Sequence, residues 1–479
     1  MNSVVGVGVR VESLEVLSGF RRALYGCFRR RADALFGAVD AVLCPDGPVT
    51  SLAELSLCVV FGRGHGALYD ALNSGIVDFE RLRRVVAGLG LPRGSDGGLR
   101  LAVDVSPWPR PDAETSPDRC HCHRPCRCDG VRQTVPGWPY SIVAALEPGR
   151  SSWTAVLDAV RLRPQDDATV VTETQIRGLV GRLMEAGAWR PGDPLIVIAM
   201  DSGYDIVRLS FLLVDLPVAL VGRIVAARVF YGPPGPRRGD HPGRAPRHGA
   251  RAELRRPAGL GEPAFTVVQE HERFGHVLVE AWAGWHPKLE RRAAWADHVG
   301  VLPIVEGSVI RIQAGRLPGD RSPDPVWLFT TGPVTREAVN TYWRTYLRRF
   351  DLEHTFRFFK QHLAWTRPRP RDPHAADRWT WLVIAAYTQL RLARTLTEDL
   401  RRPWEKPTAC GQHPTPLRVR RGYRRLRPKL ADPARAAKAT LPGPGRPPGR
   451  KSGPAPRHPV GKKRQKKDTP RRGGAINQP

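Results

Sequence analysis

The chain has 479 residues, of which 41% are apolar, and its 75 Lys and Arg against 46 Asp and Glu give a net charge of +29. This length and apolar fraction exclude a small disulfide scaffold and allow about three folding units of roughly 150 residues each. The excess of positive charge favours a polyanionic partner, and nucleic acid is the first to consider.

No run of about 18 apolar residues is present, because Arg208 and Asp215 interrupt the best candidate, 206–221. The start of the chain lacks the basic and apolar regions of a signal peptide. Eight unevenly placed cysteines are typical of a reducing compartment. The sequence therefore predicts a cytoplasmic protein without a membrane segment.

Residues 12 to 95 carry apolar side chains at helical spacing. Ser51 and Asp78 are candidate N-caps for two of the helices. Short helices with turns between them permit the binding of DNA ends, but a generic helical bundle explains the pattern equally well.

After residue 95 the spacing of the apolar residues changes from that of helices to that of strands. The stretches 99–106, 141–147 and 195–203 are short and apolar, as expected of strands, whereas 153–161 and 174–187 are assigned to helices. This alternation predicts a sheet covered by helices. A helix after Asp201 then leads into a strand at 218–229.

Further along, a loop rich in Gly, Pro and Arg at 231–263 precedes four strand-like pieces, FTVVQE, HVLVEAW, VLPIVEGSVIRIQ and PVWLFTT, which predict a β-rich insertion. Thr335 is a natural N-cap for a helix that continues past Lys360 until TRPRPRDP ends it. Another helix is predicted from about Asp377 to Leu400.

Most of the excess charge lies after residue 400, in a stretch with many Pro and Gly and few large apolar residues. Such a segment cannot bury enough surface to offset its chain entropy, so 403–479 is predicted to be disordered. It is either a solubilising extension or a grip on phosphates that uses the run KKRQKK at Lys462–Lys467.

These changes divide the chain into five segments of different composition and period. Two of them, the first and the last parts of the α/β core, flank the insertion. The segments are a helical, possibly DNA-end-binding domain at 1–95, the first part of an α/β core at 96–222, the insertion at 223–333, the rest of the core at 334–402 and the tail at 403–479.

Asp104 and Asp201 lie at the carboxyl ends of two predicted strands, where α/β folds present reactive groups. Two carboxylates held in this way can bridge divalent cations such as Mg²⁺. A single aspartate at a strand end more often serves as a turn or cap residue, so a third carboxylate is needed to complete the site.

The predicted helix at 335–360 supplies that carboxylate. Tyr346, Arg349, Glu353 and Lys360 are separated by 3, 4 and 7 residues and therefore share one narrow stripe. Asp351 points away from this stripe by the same rotation, which makes Glu353 the better third ligand. The stripe suits the binding of a phosphate chain with its metal, although a solvated, salt-bridged helix face has the same composition.

The spacing Y-x2-R-x3-E-x6-K of these four residues resembles the signature of one branch of the bacterial insertion-sequence DDE transposases. Other stretches look similar to the same family: LAVDVSPWPRPDAETSPDR, PGWPYSIVAALEPGRSSWTAVLDA, DSGYDIVRLSFLLVDLPVALVGR and DRWTWLVIAAYTQLRLAR. The likeness covers roughly residues 15–405.

The resemblance implies an RNase H-like catalytic core with a β-rich insertion before the final acidic helix, and a metal-binding triad of Asp104, Asp201 and Glu353. It implies Mg²⁺ as the cofactor, with Mn²⁺ as a substitute. It also assigns DNA-backbone contacts to Tyr346, Arg349 and Lys360. Trp365 is added as a candidate for stacking on an unpaired base, with packing in the core as the alternative.

The implied reaction is phosphoryl transfer, in which water frees a 3′-OH at the element end and that hydroxyl then attacks target DNA. Double-stranded DNA is the expected partner, a homodimer is expected because two ends must meet, and the expected location is the bacterial cytoplasm at the nucleoid. A non-catalytic DNA-binding descendant, such as a repressor or end-binding protein, is the alternative, and a related nuclease that cuts without joining is a third possibility.

One segment departs from the family pattern. CHCHRPCRC places four cysteines and two histidines within the nine residues Cys120–Cys128. Tight C-x-C spacing and the lack of a second distant pair argue against zinc, and leave a reduced or redox-sensitive loop or simple divergence as explanations.

Overall fold

The computed structural model describes residues 2–124, 133–149, 151–235, 246–272, 274–316, 324–408, 412–437, 449 and 453–461. Throughout that part of the chain, the helices are too short or too polar to cross a membrane. The described elements form a mixed α/β structure around one large sheet.

The N-terminal part of the chain is helical. Its elements are α1 (Asn2–Tyr25), β1 (Phe28–Arg30), α2 (Ala32–Leu43), α3 (Leu52–Ser56), α4 (His65–Ser74), β2 (Ile76–Val77) and α5 (Phe79–Ala87). The side chains of Ser51 and Asp78 accept hydrogen bonds from the backbone N–H groups of Glu54 and Arg81, so both predicted N-caps are confirmed. All the buried apolar side chains of this part except Ala87 belong to the same hydrophobic core as Trp379 and Leu382, far along the chain.

The centre of the sheet comes next. Its elements are β3 (Arg100–Pro109), β4 (Cys120–Arg124), β5 (Gln133–Leu146), β6 (Thr154–Arg161), α6 (Ala168–Glu185), β7 (Ile196–Met200), α7 (Ile206–Leu212) and β8 (Val218–Ile224). The strand order is β6, β5, β3, β7, β8; the pairs of β5 are antiparallel, and β7 pairs in parallel with β3 and β8. This arrangement is consistent with the predicted RNase H-like fold.

The prediction of a helix at 153–161 is wrong, because this segment forms strand β6. Its residues pair antiparallel with β5, from Arg161 opposite Tyr140 to Thr154 opposite Leu146. All of them except Val160 are buried, so the strand lacks the polar alternation by which a strand is usually read.

The insertion extends the same sheet. Its strands are β9 (Val229–Tyr231), β10 (Arg251–Glu253), β11 (Phe265–His271), β12 (Gly275–Trp285), β13 (Gly307–Ala314) and β14 (Val326–Thr330). Strand β14 pairs antiparallel with β8, and β13, β12 and β11 follow outward, whereas β9 and β10 form a separate ribbon. In the described residues, the main strands of this segment continue the core sheet.

Helices close both faces of the sheet. The last helices are α8 (Arg336–Arg348), α9 (Phe350–His362), α10 (Pro373–Ala393) and α11 (Pro416–Leu426). Thr335 caps α8 as predicted, by accepting from Ala338 N–H. Trp343 of α8 packs with Val197 and Val221 on one face, while α6 and α7 pack with alternate strand residues on the other. Strand β7 is therefore buried on both sides and reads as a continuous apolar run.

The prediction of a disordered tail is wrong for its described residues. Helix α11 packs against α10, with Val419 and Tyr423 fully buried. Near the end of the chain, Gly461 N–H donates a hydrogen bond to Arg119 C=O beside β4. The basic run 462–467 lies outside the described residues.

Candidate active site

Asp104 and Asp201 lie next to each other because of the register between two parallel strands. Val103 of β3 pairs with Met200 of β7, and each aspartate is the next residue along its chain. The sequence predicted Asp104 at the carboxyl end of its strand. In the structure it lies in the middle of the strand, because β3 continues to Pro109 alongside β5. The edge of the sheet at which the two aspartates lie is formed where β7 ends, at Met200.

Glu353 reaches the same edge from a helix. The predicted single helix is divided at Arg349, which lies between the end of α8 and the start of α9. Glu353 is in the first turn of α9, one turn after Arg349, so both side chains face the ends of β3 and β7. The helix break places Arg349 at the joint rather than on an uninterrupted stripe.

The three acids meet at the guanidinium of Arg349. Its Nη1 lies 2.8 Å from Asp104 Oδ2, and its Nη2 lies 3.9 Å from Asp201 Oδ2. The same Nη2 lies 3.6 Å from Glu353 Oε1. One cation is thus surrounded by the carboxylates of three separate elements, and these are the three acids predicted from the sequence.

The electrostatics of this cluster follow from burial and mutual repulsion. Burial raises the pKa of Asp104 to about 6 even though Arg349 opposes the rise, and Glu353 and Asp201 add to it. Burial also raises the pKa of Glu353. Burial alone would lower the pKa of Arg349, but the three acids raise it above its ordinary value. Positive charge at this point therefore stabilises the ionised acids.

The cluster fits a divalent cation in its chemistry. Carboxylate oxygens are the preferred ligands of Mg²⁺, and Asp201 Oδ1 is a buried oxygen that accepts no hydrogen bond. As the side chains stand, no group of three His, Cys, Asp or Glu in the described residues is arranged to hold a metal. The guanidinium of Arg349 lies among the acids, so a cation shared by all three would have to replace it.

Tyr346 supports Arg349 from the preceding turn of α8. The guanidinium carbon of Arg349 is 5.9 Å from the centre of the tyrosine ring, and the ring is 7% exposed. Burial raises the pKa of the Tyr346 hydroxyl. In this arrangement the tyrosine mainly positions Arg349, and its predicted contact with DNA stays a prediction.

Lys360 does not join the acid cluster. It lies two helical turns beyond Glu353, with its Nζ 5.6 Å from the centre of the Trp365 ring. Trp365 itself is fully buried, and its Nε1 donates to Thr380 Oγ1 at 3.0 Å. The prediction that Trp365 stacks on a base is therefore wrong for this conformation, because its ring is buried in the hydrophobic core. The alternative prediction, that Trp365 packs in the core, agrees with the structure.

Replacing Lys360 with methionine should stabilise the DNA-free protein at pH 7 by about 1–2 kcal/mol. Burial lowers the pKa of Lys360 to about 8, with Cys122 opposing the change, whereas an unfolded lysine titrates near 10.4. Burying the charged ammonium of Lys360 therefore lowers the stability of the folded state by its full amount below pH 8, and this loss disappears between pH 8 and 10.

Urea denaturation of wild type and Lys360→Met at pH 7 and pH 9.5 checks this expectation. The stability difference should shrink at the higher pH. An equal difference at both values would show that the ammonium is not the cause. Arg357→Met, an exposed cation on the same helix, is the control and should have little effect at either pH.

The cysteine cluster is only partly described. Cys120 and Cys122 lie on β4 as free thiols, and burial raises their pKa values to about 11 and about 12. Such thiols stay protonated near neutral pH, which disfavours both metal binding and nucleophilic attack. Cys126 and Cys128 lie outside the described residues, so the absence of zinc from this cluster stays a prediction.

Two residues near the acids were not selected from the sequence. Arg223, late in β8, places its Nη1 4.0 Å from Asp201 Oδ1. Tyr204, just after Asp201, is near Asp104, and burial raises its pKa. Their positions in the sequence could have identified them, because both lie near the carboxyl ends of neighbouring parallel strands, where loops converge on one edge of the sheet.

Comparison with known families decides the class of protein. The family described as DDE superfamily endonuclease matches residues 23–282, more than half of the chain. The chain belongs to this DDE endonuclease family. The match includes Asp104 and Asp201 and ends before Glu353, so the third acid rests on the site geometry. No curated protein matches the chain.

Membership supports the coarse prediction from the sequence, a transposase-type nuclease. The family implies DNA substrates and typically uses divalent metals, whereas catalysis by this chain stays a prediction. The family match does not extend to the Tyr-Arg-Glu-Lys spacing at 346–360. That spacing therefore remains a resemblance to one branch of the transposases.

Proposed function

We propose that this DDE endonuclease is a transposase that cuts and joins DNA at the ends of a bacterial insertion sequence, with Asp104, Asp201 and Glu353 as its metal ligands. The observation that carries the proposal is the convergence of these three carboxylates on Arg349. Hydrophobic packing alone gives no reason to gather three acids from three elements around one charge. The net charge of +29 suits a DNA substrate.

Two divalent cations bound by the acids would activate the attacking oxygen and stabilise the leaving oxygen of a phosphodiester. The protein keeps the acids in fixed positions for this purpose. Val105 N–H donates to Asp104 Oδ1 at 2.8 Å and fixes the direction of that carboxylate. Arg349, once released from the acids, is available to pair with a DNA phosphate through its planar guanidinium.

A DNA-binding descendant without catalysis is the second candidate. The ion pairs that occupy the acid cluster favour it, since Arg349 neutralises the acids without a metal. It predicts binding of element ends with no change in the DNA. The homodimer, the nucleoid location and the joining step belong to the first proposal and remain predictions.

The test incubates purified protein with Mg²⁺ and a plasmid that carries the DNA flanking its own coding region. Wild type should release cleaved and joined products, and Glu353→Gln should reduce them by at least about a hundredfold while DNA binding is retained. Asp351→Asn is the matched control, because Asp351 lies on the same helix but pairs with Arg348 at 2.6 Å.

The control variant should keep cleavage within a few-fold of wild type. Equal products from wild type and Glu353→Gln would refute the assignment of the third acid. Binding without products from any of the proteins would favour the non-catalytic descendant.

A further inference from the structure

A second region of concentrated positive charge lies away from the acids. The chain after β3, the start of α3 and the segment that joins α9 to α10 enclose a groove of about 780 Å³. Arginines line much of it, and Asp112 is the acidic residue on its wall. We call this the arginine groove, defined by Arg110, Arg367, Arg369 and Arg371.

The joining segment presents its arginines in a regular way. In RPRPR at 367–371, prolines alternate with arginines, and all three arginines are exposed. Proline fixes an extended backbone at roughly 3.1 Å per residue, so the outer two arginines are about 12 Å apart. A duplex carries about seven phosphates over that length. Within the described residues, no ion pair or hydrogen bond engages these three guanidinium groups.

The wall beneath them contains buried positive charge that forms no ion pair with an acid in the described residues, although Asp112 nearby partly opposes the lowering of the Arg110 pKa that burial causes. Arg110 is 9% exposed, and its Nη2 donates to Pro370 C=O at 2.9 Å, while its Nε has no hydrogen-bond partner. Arg119 lies beside Arg110 but does not line the groove; it is 3% exposed and donates only to backbone carbonyl groups, those of Ser116, Arg110 and His458. A buried charge without a counter-ion is costly, so an anion in the groove would offset that cost.

The position of the groove relates it to the acid cluster. Arg110 follows Asp104 by six residues along the extended chain of β3, which corresponds to roughly 20 Å. A B-form duplex rises 3.4 Å per base pair, so the groove lies about six base pairs from the acids. The same DNA molecule can therefore reach both places.

We propose that the arginine groove binds the phosphate backbone of duplex DNA about six base pairs from the phosphate held at the acid cluster. The choice of DNA rests on the proposed function, whereas the anion-binding character rests on the groove itself. The exposed arginines contact the phosphates, and buried Arg110, with Arg119 beside it, keeps the wall positive.

Salt titration of DNA binding tests the proposal. The triple variant Arg367→Gln, Arg369→Gln, Arg371→Gln and wild type bind a 30-base-pair duplex of arbitrary sequence in Ca²⁺ between 50 and 200 mM salt. Loss of three phosphate contacts should reduce the slope of log K against log salt by about 2.7. Wild type should accordingly lose about fortyfold more affinity than the variant over this range.

The control removes the same charge elsewhere, by Arg84→Gln, Arg190→Gln and Arg255→Gln at exposed positions outside the groove. Its slope should stay within about 0.5 of wild type. An unchanged slope in the groove variant, or an equal fall in the control, would overturn the proposal. Should the triple variant fail to fold, Arg369→Gln alone should lower the slope by about 0.9.

These outcomes are separate from those of the cleavage assay. A protein that cleaves DNA but shows no slope difference rejects the groove alone. A protein that cleaves nothing but shows the full slope difference keeps the groove and rejects the proposed transposase activity.

Discussion

Replacing Arg349 with glutamine lowers the free energy of unfolding of the metal-free protein by about 2–3 kcal/mol, and divalent cations restore much of that loss. Removing one partner of a buried ion pair costs about 3–5 kcal/mol because the other charge is left unpaired. We expect a smaller cost here, since the side chains of Asp201 and Glu353 are 38% and 41% exposed. In the variant, a cation can occupy the place that the guanidinium leaves.

Urea denaturation with and without 10 mM Mg²⁺ or Mn²⁺ measures this effect. Wild type should gain less from the metal than the variant, because its own guanidinium competes with the cation. Arg223→Gln is the control: its side chain is 48% exposed and lies 4.0 Å from Asp201, so the change should cost little. The same loss in metal-free and metal-containing buffer would contradict the exchange of guanidinium for metal.

The pH dependence gives an independent check. The folded-state pKa of Asp104 is raised to about 6, above the 3.9 of an unfolded aspartate. A raised carboxyl pKa favours the folded state at low pH and loses that benefit as the pH rises through about 6. The stability difference between Arg349→Gln and wild type should therefore narrow below pH 6, where the acids take up protons.

Replacing Trp365 with alanine should lower the free energy of unfolding by about 3–5 kcal/mol. The side chain is fully buried, and the rings of Tyr140 and Phe359 pack against it at centroid distances of 5.8 and 6.1 Å. The change leaves a large cavity and removes the hydrogen bond that Trp365 Nε1 donates to Thr380 Oγ1. Urea denaturation measures the loss.

Trp404→Ala is the matched control, because that tryptophan is 75% exposed. It should change stability by less than about 0.5 kcal/mol. Nearly unchanged stability in Trp365→Ala, together with weaker DNA binding, would show that the ring serves the DNA after all.

Local patterns were sufficient for the elements whose residues interact mainly with their sequence neighbours. The N-caps Ser51, Asp78 and Thr335 were predicted because a capping side chain bonds an N–H group two or three residues away. Strand β7 was predicted because burial on both faces leaves a continuous apolar run. Strand β6 was not predicted, because its residues show no alternation of apolar and polar side chains and only their pairing with β5 makes them a strand.

Helix α11 shows a different limit. Disorder of 403–479 was predicted from the charge and the Pro and Gly content of the whole segment. Within it, Val419, Tyr423 and Leu426 are large apolar residues that this average hides. Their spacing of four and three residues nevertheless places them on one helical face, and α10 supplies the surface that buries them. Composition describes the average of a segment, whereas a short amphipathic helix needs only a few apolar residues and a partner.

The amino-acid sequence by itself determined the three acids, their order along the chain and the residue types that surround them. Only the tertiary structure decided that Asp104 and Asp201 become neighbours through the register of β3 and β7, and that Arg349 pairs with all three acids. It also decided that Trp365 is buried and that Arg110 donates to a backbone carbonyl group rather than to a carboxylate. The reason is physical: ion pairing and burial depend on distances between residues far apart in the chain, and these distances exist only after the elements pack.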